Sequence, residues 1–263
     1  MATFVLLPAY NEEAALRRLI PRLLEADPDL RIVVVNDGST DRTGEVARSF
    51  AGVVVLEHPE NRGLGEALRT GFGYLARVTE PEDVILTMDA DDTHDPAALK
   101  TMRKALQEGA ELVIASRYRS GSRSTGVPWC RRALSYAARW LFSVFAPIPG
   151  VRDYTCGFRA YRARLIHGAY RLWGDRLMES AGFACATELL LKLRPLEPRV
   201  VEVPLELRYD RKPGSSKMRL LRAIREYGRL LWQSARWPLN WAGRTIGGFP
   251  LFWTEIERMA LCG

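Results

Sequence analysis

The stretch "DVILTMDADDTHDP", residues 83–96, places four aspartates directly after an uninterrupted apolar run. An apolar run without polar alternation is typical of a strand that is buried on both faces of a sheet. Similar runs recur along the first half of the chain, and segments with helical periodicity separate them. The runs are residues 3–10, 31–37, 53–58, 83–89 and 110–117, and the helical segments are residues 11–24, 41–50, 63–76 and 95–107. This alternation predicts a doubly wound α/β fold, a mainly parallel sheet sandwiched by helices.

The length of the chain and its cysteines limit the class of protein. The chain has 263 residues, enough for one large α/β domain or for one domain with a small appendage. Its four cysteines form no C-x-x-C pair and no metal-ligand spacing with the three histidines, which argues against a disulfide framework and a zinc site. The N-terminal sequence lacks the positive flank and the apolar region of a signal peptide. We therefore expect a protein of the reducing cytoplasm.

The positive charge of the chain is concentrated at its C-terminal end. The net charge is +7, and residues 211–263 account for all of it with ten Lys or Arg against three acids. Such a segment can contact nucleic acid, an anionic membrane or only water. Nucleic acid is the least favoured of these, because the acidic cluster of residues 89–95 would repel phosphates unless a metal ion is bound.

Polar segments follow each predicted strand, at the carboxyl ends where open α/β sheets bind their ligands. They read "PAYNE", "NDGSTD", "ENRG", "DADD" and "SRY". "NDGSTD" is also typical of a turn with a helix cap at Thr40 or Asp41, and Asn61 and Gly63 suit a turn as well. The convergence of these segments at one edge of the sheet favours a ligand site.

The type of ligand site follows from motifs that are absent and from the aspartates that are present. No G-x-G-x-x-G follows the first predicted strand and no G-x-x-x-x-G-K-[ST] occurs, which disfavours a dinucleotide dehydrogenase and a P-loop NTPase. A diphosphate at this edge would need a cation to neutralise it. Asp89 and Asp91 offer the hard oxygen ligands that Mg²⁺ and Mn²⁺ prefer. A cap cluster that opens the next helix accounts for Asp95 but leaves Asp89, Asp91 and Asp92 unexplained.

Several segments, in this order and spacing, resemble the family 2 glycosyltransferases of the GT-A fold. They are "LLPAYNEE", "VVVNDGSTDRT", "NRGLGEALRTGF", "MDADDTHDP" and "IASRY". The resemblance is strongest to the dolichyl- or polyprenyl-phosphate mannosyltransferases, of which "DYTCGFRAY" (residues 153–161) and the R-x-x-G-x-S-K pattern in "RKPGSSKM" (residues 211–218) are typical. It extends from about Leu6 to Lys217.

The resemblance implies a role for each matching residue. The residues that would bind the nucleotide-sugar donor are Pro8, Tyr10, Glu12, Asp37, Gly63, Arg69 and Asp89. Asp89 and Asp91 would also hold Mg²⁺ or Mn²⁺, and Arg117 would complete the catalytic set. The residues that would bind the acceptor phosphate and the leaving diphosphate are Arg117, Arg131, Arg211 and Lys217. Relatives often carry Gln where this chain has Thr93, so that Thr93, Asp92 or water would be the third metal ligand.

The reaction that the resemblance implies is an inverting transfer of a hexose to a polyprenyl or dolichyl phosphate, with mannose from GDP-mannose as the first choice. A phosphate monoester has a second pKa of about 6 and is largely dianionic at neutral pH, so its attack needs little help from a general base. UDP-glucose or UDP-N-acetylglucosamine are the alternative donors, and a soluble molecule is the alternative acceptor. A nucleotide-sugar-binding protein without turnover is the alternative from a different class.

A lipid acceptor requires contact with a membrane, yet the sequence has no apolar run of 18 residues or more. We expect a GT-A catalytic domain over residues 1–216, with a basic amphipathic helix inside residues 115–150, between Trp129 and Phe145, and a basic amphipathic tail over residues 217–263. In that tail, Met218, Leu221, Ile224 and Leu231 would form one apolar stripe. These helices would place the protein on the cytoplasmic face of the membrane as a peripheral protein. Alternatively, they pack on the core, in a homodimer or against a membrane-protein partner.

Overall fold

The computed structural model describes residues 1–211, 220–234 and 237, and for residues 220–222 it describes the backbone only. Its strands are β1 (Thr3–Ala9), β2 (Arg31–Asp37), β3 (Val54–His58), β4 (Val84–Thr87), β5 (Leu112–Ser116), β6 (Arg123–Thr125), β7 (Arg159–Arg162), β8 (Val200–Pro204) and β9 (Glu206–Arg208). The main sheet has the order β3-β2-β1-β4-β7-β5-β8, and β6 pairs with β9 in a small second sheet. Every neighbouring pair in the main sheet is parallel except those of β7, which runs antiparallel to β4 and β5. The predicted mainly parallel sheet is confirmed.

Helices connect and cover the strands. They are α1 (Glu13–Ala26), α2 (Thr43–Arg48), α3 (Leu64–Val78), α4 (Ala98–Gln107), α5 (Trp129–Phe145), α6 (Ala163–Trp173), α7 (Cys185–Lys192) and α8 (Leu220–Ser234). The connections through α1 and α2 run along the sheet in the direction opposite to the connection through α3. Because such crossovers are right-handed, α3 lies on the other face of the sheet from α1 and α2. The predicted sandwich of helices around the sheet is confirmed.

The core lies at the centre of the main sheet. All residues of β4 and β5 are buried, as expected for strands that are covered on both faces. Helix α3 packs closely on β1 because Gly71 has no side chain, and a Cβ there would lie 2.2 Å from a side-chain carbon of Leu6. This rigid centre holds the carboxyl ends of β1, β2 and β4 next to one another.

Helix α5 covers the predicted segment of residues 129–145 and has two unlike faces. Ala138 and Phe142 are buried. On the opposite face Trp129, Tyr136 and Trp140 are 81%, 54% and 63% exposed. The helix therefore carries apolar residues on both faces, one buried in the core and one exposed to solvent as an aromatic patch.

Helix α8 packs on the core mainly through residues outside the predicted apolar stripe, of which Leu231 alone among the described side chains is partly buried against the core. Its buried apolar side chains are Ala223, Tyr227 and Leu230, and the ring of Tyr227 meets Phe142 edge-on at 5.9 Å. Ile224, which was predicted to belong to the apolar stripe, is 49% exposed. Contact with α5 thus buries a different set of residues from the predicted stripe, and contact of that stripe with a membrane stays a prediction. The alternative that part of this tail packs on the core is confirmed for α8.

The predicted domain boundary at residues 216/217 falls within residues 212–219, outside the described residues, and stays a prediction. Lys217, Met218 and the later tryptophans Trp241 and Trp253 lie outside them as well. Within the described part of the chain, no helix combines the length and the apolar character needed to cross a membrane.

Candidate active site

The ends of β1 and β2 are joined by hydrogen bonds between their loops. The amide of Asn11 donates to Ser39 Oγ at 3.0 Å, and the amide of Thr40 donates to Asn11 Oδ1 at 2.8 Å. Asp41 Oδ1 accepts the amide of Thr43, the first residue of α2, at 3.0 Å, although the N-cap position itself is held by Arg42 and not by Thr40 or Asp41. Burial opposes ionisation of Asp41, but the hydrogen bonds from Thr43 outweigh it and hold the pKa of Asp41 below its ordinary value. The two loops thus form one preassembled edge.

The side chain of Asp37 organises the next loop along this edge. Its Oδ1 accepts the amide of Arg62 at 3.0 Å, and its Oδ2 accepts the amide of Gly63 at 2.8 Å. His58 Nδ1 lies 2.7 Å from Asp37 Oδ1. Gly63 has φ +93° and a Cβ there would lie 2.7 Å from the carbonyl oxygen of Ala181, so the chain needs glycine at this position. The predicted donor residues Asp37 and Gly63 are therefore in direct contact.

The other predicted donor residues lie around this edge. Pro8 lies near the end of β1, and Tyr10 and Glu12 follow that strand in the half-buried turn before α1. Because β1 lies between β2 and β4, this turn sits between Asp37 and the aspartates after β4. Arg69 lies on α3 and forms an ion pair with Glu66. The donor set is thus gathered at the ends of three neighbouring strands and on the helix beside them.

The aspartates after β4 have different environments. Asp91 is 6% exposed, and its Oδ1 accepts the amide of Thr93 at 3.2 Å and the hydroxyl of Thr93 at 2.7 Å. Asp92 has φ +58°, and its carboxylate meets Arg22 at 2.5 Å and Arg18 at 3.3 Å. Asp89 is half-buried at the mouth of the edge. Asp92 therefore faces arginines, and Thr93 holds Asp91.

The remaining pair, Asp89 and Asp91, fits a divalent cation by its chemistry. Both are hard oxygen donors, and the hydrogen bonds from Thr93 hold Asp91 in place. In the described part of the chain no three His, Cys, Asp or Glu side chains are placed to enclose an ion. A cation here would bind two protein carboxylates and take its other ligands from a diphosphate and water, which is the way Mg²⁺ is commonly held. The roles predicted for Asp89, Asp91 and Thr93 stay predictions.

On the other side of the site, Arg117 follows β5 and is enclosed by hydrogen-bond acceptors. Its Nε donates to Asp153 Oδ2 at 2.8 Å, its Nη1 donates to Ser135 Oγ on α5 at 2.9 Å, and its Nη2 also reaches Thr155. Burial disfavours both charges, but their attraction outweighs it, so the pKa of Arg117 is raised and the pKa of Asp153 is lowered. Arg117 is thus a fixed donor that joins β5 to α5.

The other residues predicted to bind phosphate lie at two places. Arg131 is on α5 one turn before Ser135, where its Nη1 donates to the Tyr209 hydroxyl at 2.5 Å and its guanidinium lies 5.2 Å from the centre of that ring. Arg211 lines a cavity of about 430 Å³ with Arg18, Arg22 and Asp92. Its Nη1 is buried and has no hydrogen-bond partner among residues 1–211, 220–234 and 237. Arg117 and Arg131 are therefore linked through α5, whereas Arg211 stands beside α1.

Three residues at this site were missed by sequence reasoning. Ser135 lies within the helix that the sequence marked only as amphipathic, and Asp153 opens a motif that carried no assigned role. His58 ends a predicted strand, which was a signal of its position but not of its contact with Asp37. Their partners are distant in sequence, so no local pattern could identify them.

A comparison with known proteins assigns the chain to a family. The sequence profile described as "Glycosyl transferase family 2" matches residues 4–168, more than half of the chain. The chain belongs to this family. It is 34% identical over 221 residues to the polyprenol monophosphomannose synthase of Mycolicibacterium smegmatis, an alignment that covers 82% of this chain and 80% of that protein. It is 32% identical over 222 residues to the undecaprenyl-phosphate mannosyltransferase of Micrococcus luteus, which covers 83% and 88% of the two chains.

A solved structure supports the fold of this family 2 glycosyltransferase. The glucosyl-3-phosphoglycerate synthase of Mycobacterium tuberculosis, solved with Mn²⁺, UDP and glucosyl-3-phosphoglycerate, has a TM-score of 0.63 and 22% identity, and the match covers 95% of this chain and 84% of that one. The fold is GT-A, as the sequence predicts. Since the curated relatives are named as glycosyltransferases, the chain is an enzyme of this class and not a nucleotide-sugar-binding protein without turnover.

Proposed function

We propose that this glycosyltransferase moves mannose from GDP-mannose to a polyprenyl or dolichyl phosphate. The observation that carries the proposal is that Asp89 and Asp91 lie at the donor edge, while α5 carries Arg131 and Ser135 on its half-buried side and exposes aromatic rings on the opposite face. A diphosphate suits the first feature, and a phosphate with a long apolar tail suits the second. The names of the relatives at 34% and 32% identity support this acceptor and this sugar.

The donor would bind across the edge formed by β1, β2 and β4. Asp37 would hold the Arg62–Gly63 loop that borders the nucleotide, and Asp89 and Asp91 would hold Mg²⁺ or Mn²⁺. When bound, such an ion neutralises the negative charge that develops on the leaving diphosphate. Asp89 and Asp91 would fix the position of the ion before the reaction begins. Such preorganised charge is usually a large part of catalysis.

The acceptor phosphate would attack the anomeric carbon of the sugar from the side opposite the leaving diphosphate, which inverts the configuration. No general base is required, because a phosphate monoester is already largely dianionic near neutral pH. Arg131 supplies a guanidinium fork that suits phosphate oxygens. Arg117, whose charge Asp153 already balances, would orient Ser135 and donate to the phosphate in a fixed direction. Arg211 would add a further positive charge near the phosphates, and so would Lys217 as the resemblance implies.

The aromatic face of α5 would lie in the membrane surface on the cytoplasmic side, as a peripheral contact. Trp129, Tyr136 and Trp140 are the side chains that prefer the boundary between lipid and water. Arg132 and Arg139 on the same helix add positive charge, which anionic lipids attract. A homodimer or a membrane-protein partner would cover the same face and is the alternative occupant.

The donor and the acceptor are tested together by transfer of radiolabelled sugar. GDP-mannose, UDP-glucose and UDP-N-acetylglucosamine are supplied in turn with a short polyprenyl phosphate, with Mg²⁺ or Mn²⁺ and with a chelator. We expect label in the organic phase only with GDP-mannose and only with metal. Labelled lipid with a UDP-sugar would show that the donor is not GDP-mannose. Release of nucleotide without labelled lipid would show that the acceptor is not a polyprenyl phosphate.

A second candidate is glucosyl transfer from UDP-glucose to a soluble phosphorylated acceptor. It is favoured by the structural similarity to the glucosyl-3-phosphoglycerate synthase, whose solved complex holds UDP. The same assay with 3-phosphoglycerate as acceptor separates the two candidates, because its product stays in the aqueous phase.

A further inference from the structure

A chain of buried polar side chains runs behind the donor edge. His58 is 7% exposed, and its two ring nitrogens contact different partners. Nδ1 lies 2.7 Å from Asp37 Oδ1, and Nε2 lies 2.9 Å from Thr70 Oγ1 on α3. Asp37 also accepts the amides of Arg62 and Gly63, so it acts as an acceptor and the His58 Nδ1–H donates to it. In the neutral ring Nε2 then accepts the Thr70 hydroxyl.

The backbone places these groups in contact. Asp37 and His58 are register partners across the parallel strands β2 and β3, each at the last position of its strand. Thr70 lies two turns inside α3, the helix that starts directly after the loop bound by Asp37. One carboxylate therefore receives a side-chain donor from β3 and two backbone donors from the loop, and His58 receives a hydroxyl from the helix that follows that loop.

We propose that His58 is a positioning residue for the nucleotide of the donor and acts through Asp37. His58 is too buried to touch a ligand, but its Nδ1–H restricts Asp37 to the rotamer that binds the Arg62–Gly63 loop. Asp37 can only accept and so fixes the ring tautomer with hydrogen on Nδ1, and the Thr70 hydroxyl donates to the other ring nitrogen and holds the ring in place. This inference rests on the proposed function, because it takes the nucleotide to bind at the edge that Asp37 organises.

Two substitutions of His58 separate its two contacts. The side-chain nitrogen of Asn can occupy the place of Nδ1, and that of Gln the place of Nε2. His58→Asn therefore keeps the donor to Asp37 and loses Thr70, whereas His58→Gln keeps Thr70 and loses the donor to Asp37. If His58 only filled space in the core, both variants would have the same KM for the donor and the same exchange at the loop amides.

The first readout is steady-state kinetics with the donor that the transfer assay identifies. We expect His58→Gln to raise the KM for the donor about tenfold, since a hydrogen bond to a charged group is lost, with kcat changed less than about threefold. His58→Asn should keep the donor KM within about threefold of wild type. Thr70→Val, a milder change that does not depend on replacing the ring, should raise the KM by about threefold. Equal KM values in the two His58 variants would overturn the proposal.

The second readout does not depend on turnover. Hydrogen exchange of the Arg62 and Gly63 amides reports whether Asp37 still binds the loop. We expect faster exchange at both amides in His58→Gln and near wild-type exchange in His58→Asn, while the melting temperatures of the variants serve as a control for folding. Equal exchange in both variants would overturn the positioning role. If wild type binds neither GDP nor UDP with Mg²⁺ by calorimetry, the proposed function fails, and the exchange data still decide whether His58 positions the loop.

Discussion

The donor edge and the α5 side of the site are built in opposite ways. At the donor edge Asp37, Asp41 and Asp91 are surrounded by backbone and hydroxyl donors, and Asp37 and Asp91 are almost fully buried. On the α5 side the arginines are paired with neutral or acidic side chains, and on the opposite face of that helix Trp129 and Trp140 are more than half exposed. At the donor edge these aspartates already have hydrogen-bond partners in the isolated protein, whereas α5 presents an apolar surface to water.

This difference fits the two kinds of ligand that we propose. A nucleotide diphosphate is small, polar and dissolved in water, so that a rigid edge can bind it without rearranging. A polyprenyl phosphate stays in the bilayer, and a helix with an exposed aromatic face recovers the cost of its exposure only when it meets that bilayer. The comparison predicts that changes at the donor edge lower turnover with every acceptor, and that changes on the aromatic face of α5 lower it only with a membrane-bound lipid acceptor.

The largest effect should come from the carboxylates after β4. Asp89→Asn or Asp91→Asn removes a hard anionic ligand, and we expect kcat to fall by about a thousandfold with any acceptor. The transfer assay measures this fall, and the far-ultraviolet circular dichroism of the variant checks that it is folded.

Asp95→Asn is the matched control, because Asp95 accepts the amide of Ala97 before α4 and Asn can take over that cap. Its activity should stay near wild type. A comparable loss in this variant would mean that negative charge in the loop, and not ligation by the two carboxylates, matters for turnover.

The second effect concerns stability on the α5 side. Asp153 is fully buried, and Asp153→Asn leaves the guanidinium of Arg117 without its counter-charge. We expect the free energy of unfolding to fall by about 3 kcal/mol, measured by urea denaturation. Asp210→Asn is the control, because its pair with Arg208 is exposed and the urea midpoint should not change measurably.

The same pair predicts a dependence on pH. The attraction of Arg117 outweighs burial and lowers the pKa of Asp153, so its contribution is complete above pH about 4 and is lost as the pH falls through the lower folded value. The stability difference between wild type and Asp153→Asn should therefore shrink in acid. A difference that stays constant down to pH about 2 would show that the loss is one of packing and not of charge.

The third effect tests the lipid side of the comparison. Trp140→Ser removes an exposed aromatic ring, and we expect binding to vesicles that contain anionic lipid to weaken about tenfold. Turnover with a short, water-soluble prenyl phosphate should stay unchanged. Leu172→Ser on α6, which is also exposed, is the matched control and should not alter vesicle binding. Equal losses with both acceptors would place Trp140 in a protein interface.

The smallest effect concerns the ion pairs that hold Asp92. Arg22→Gln removes one of its two arginine partners, but Arg22 is 30% exposed and Arg18 remains. We expect a loss of about 0.5–1 kcal/mol in stability and little change in turnover, measured by thermal unfolding and the transfer assay. A large loss of turnover would show that Asp92 acts in the reaction together with Asp89 and Asp91. It would contradict the view that Asp92 only pairs with arginines.

Much of the fold was predictable because its signals are local. The apolar run of residues 31–37 coincides with β2, and residues 129–145 coincide with α5. The antiparallel β7 between β4 and β5 was not predictable, since a short run such as residues 159–162 carries no information on direction. The buried face of α8 was not predictable, because the helix offers apolar residues on two sides and its contact with Phe142 selects one of them.

The sequence by itself determined the alternation of strands and helices over residues 3–117, the polar segments at their ends and the adjacent carboxylates Asp89 and Asp91, because periodicity and turn chemistry act over a few residues. The tertiary structure alone decided which groups are partners. Asp37 meets His58 21 residues away, and Arg117 meets Asp153 36 residues away. A carboxylate can serve as ligand, cap or counter-ion with the same local sequence, and its role is set by the donors that distant strands and helices bring to within about 3 Å.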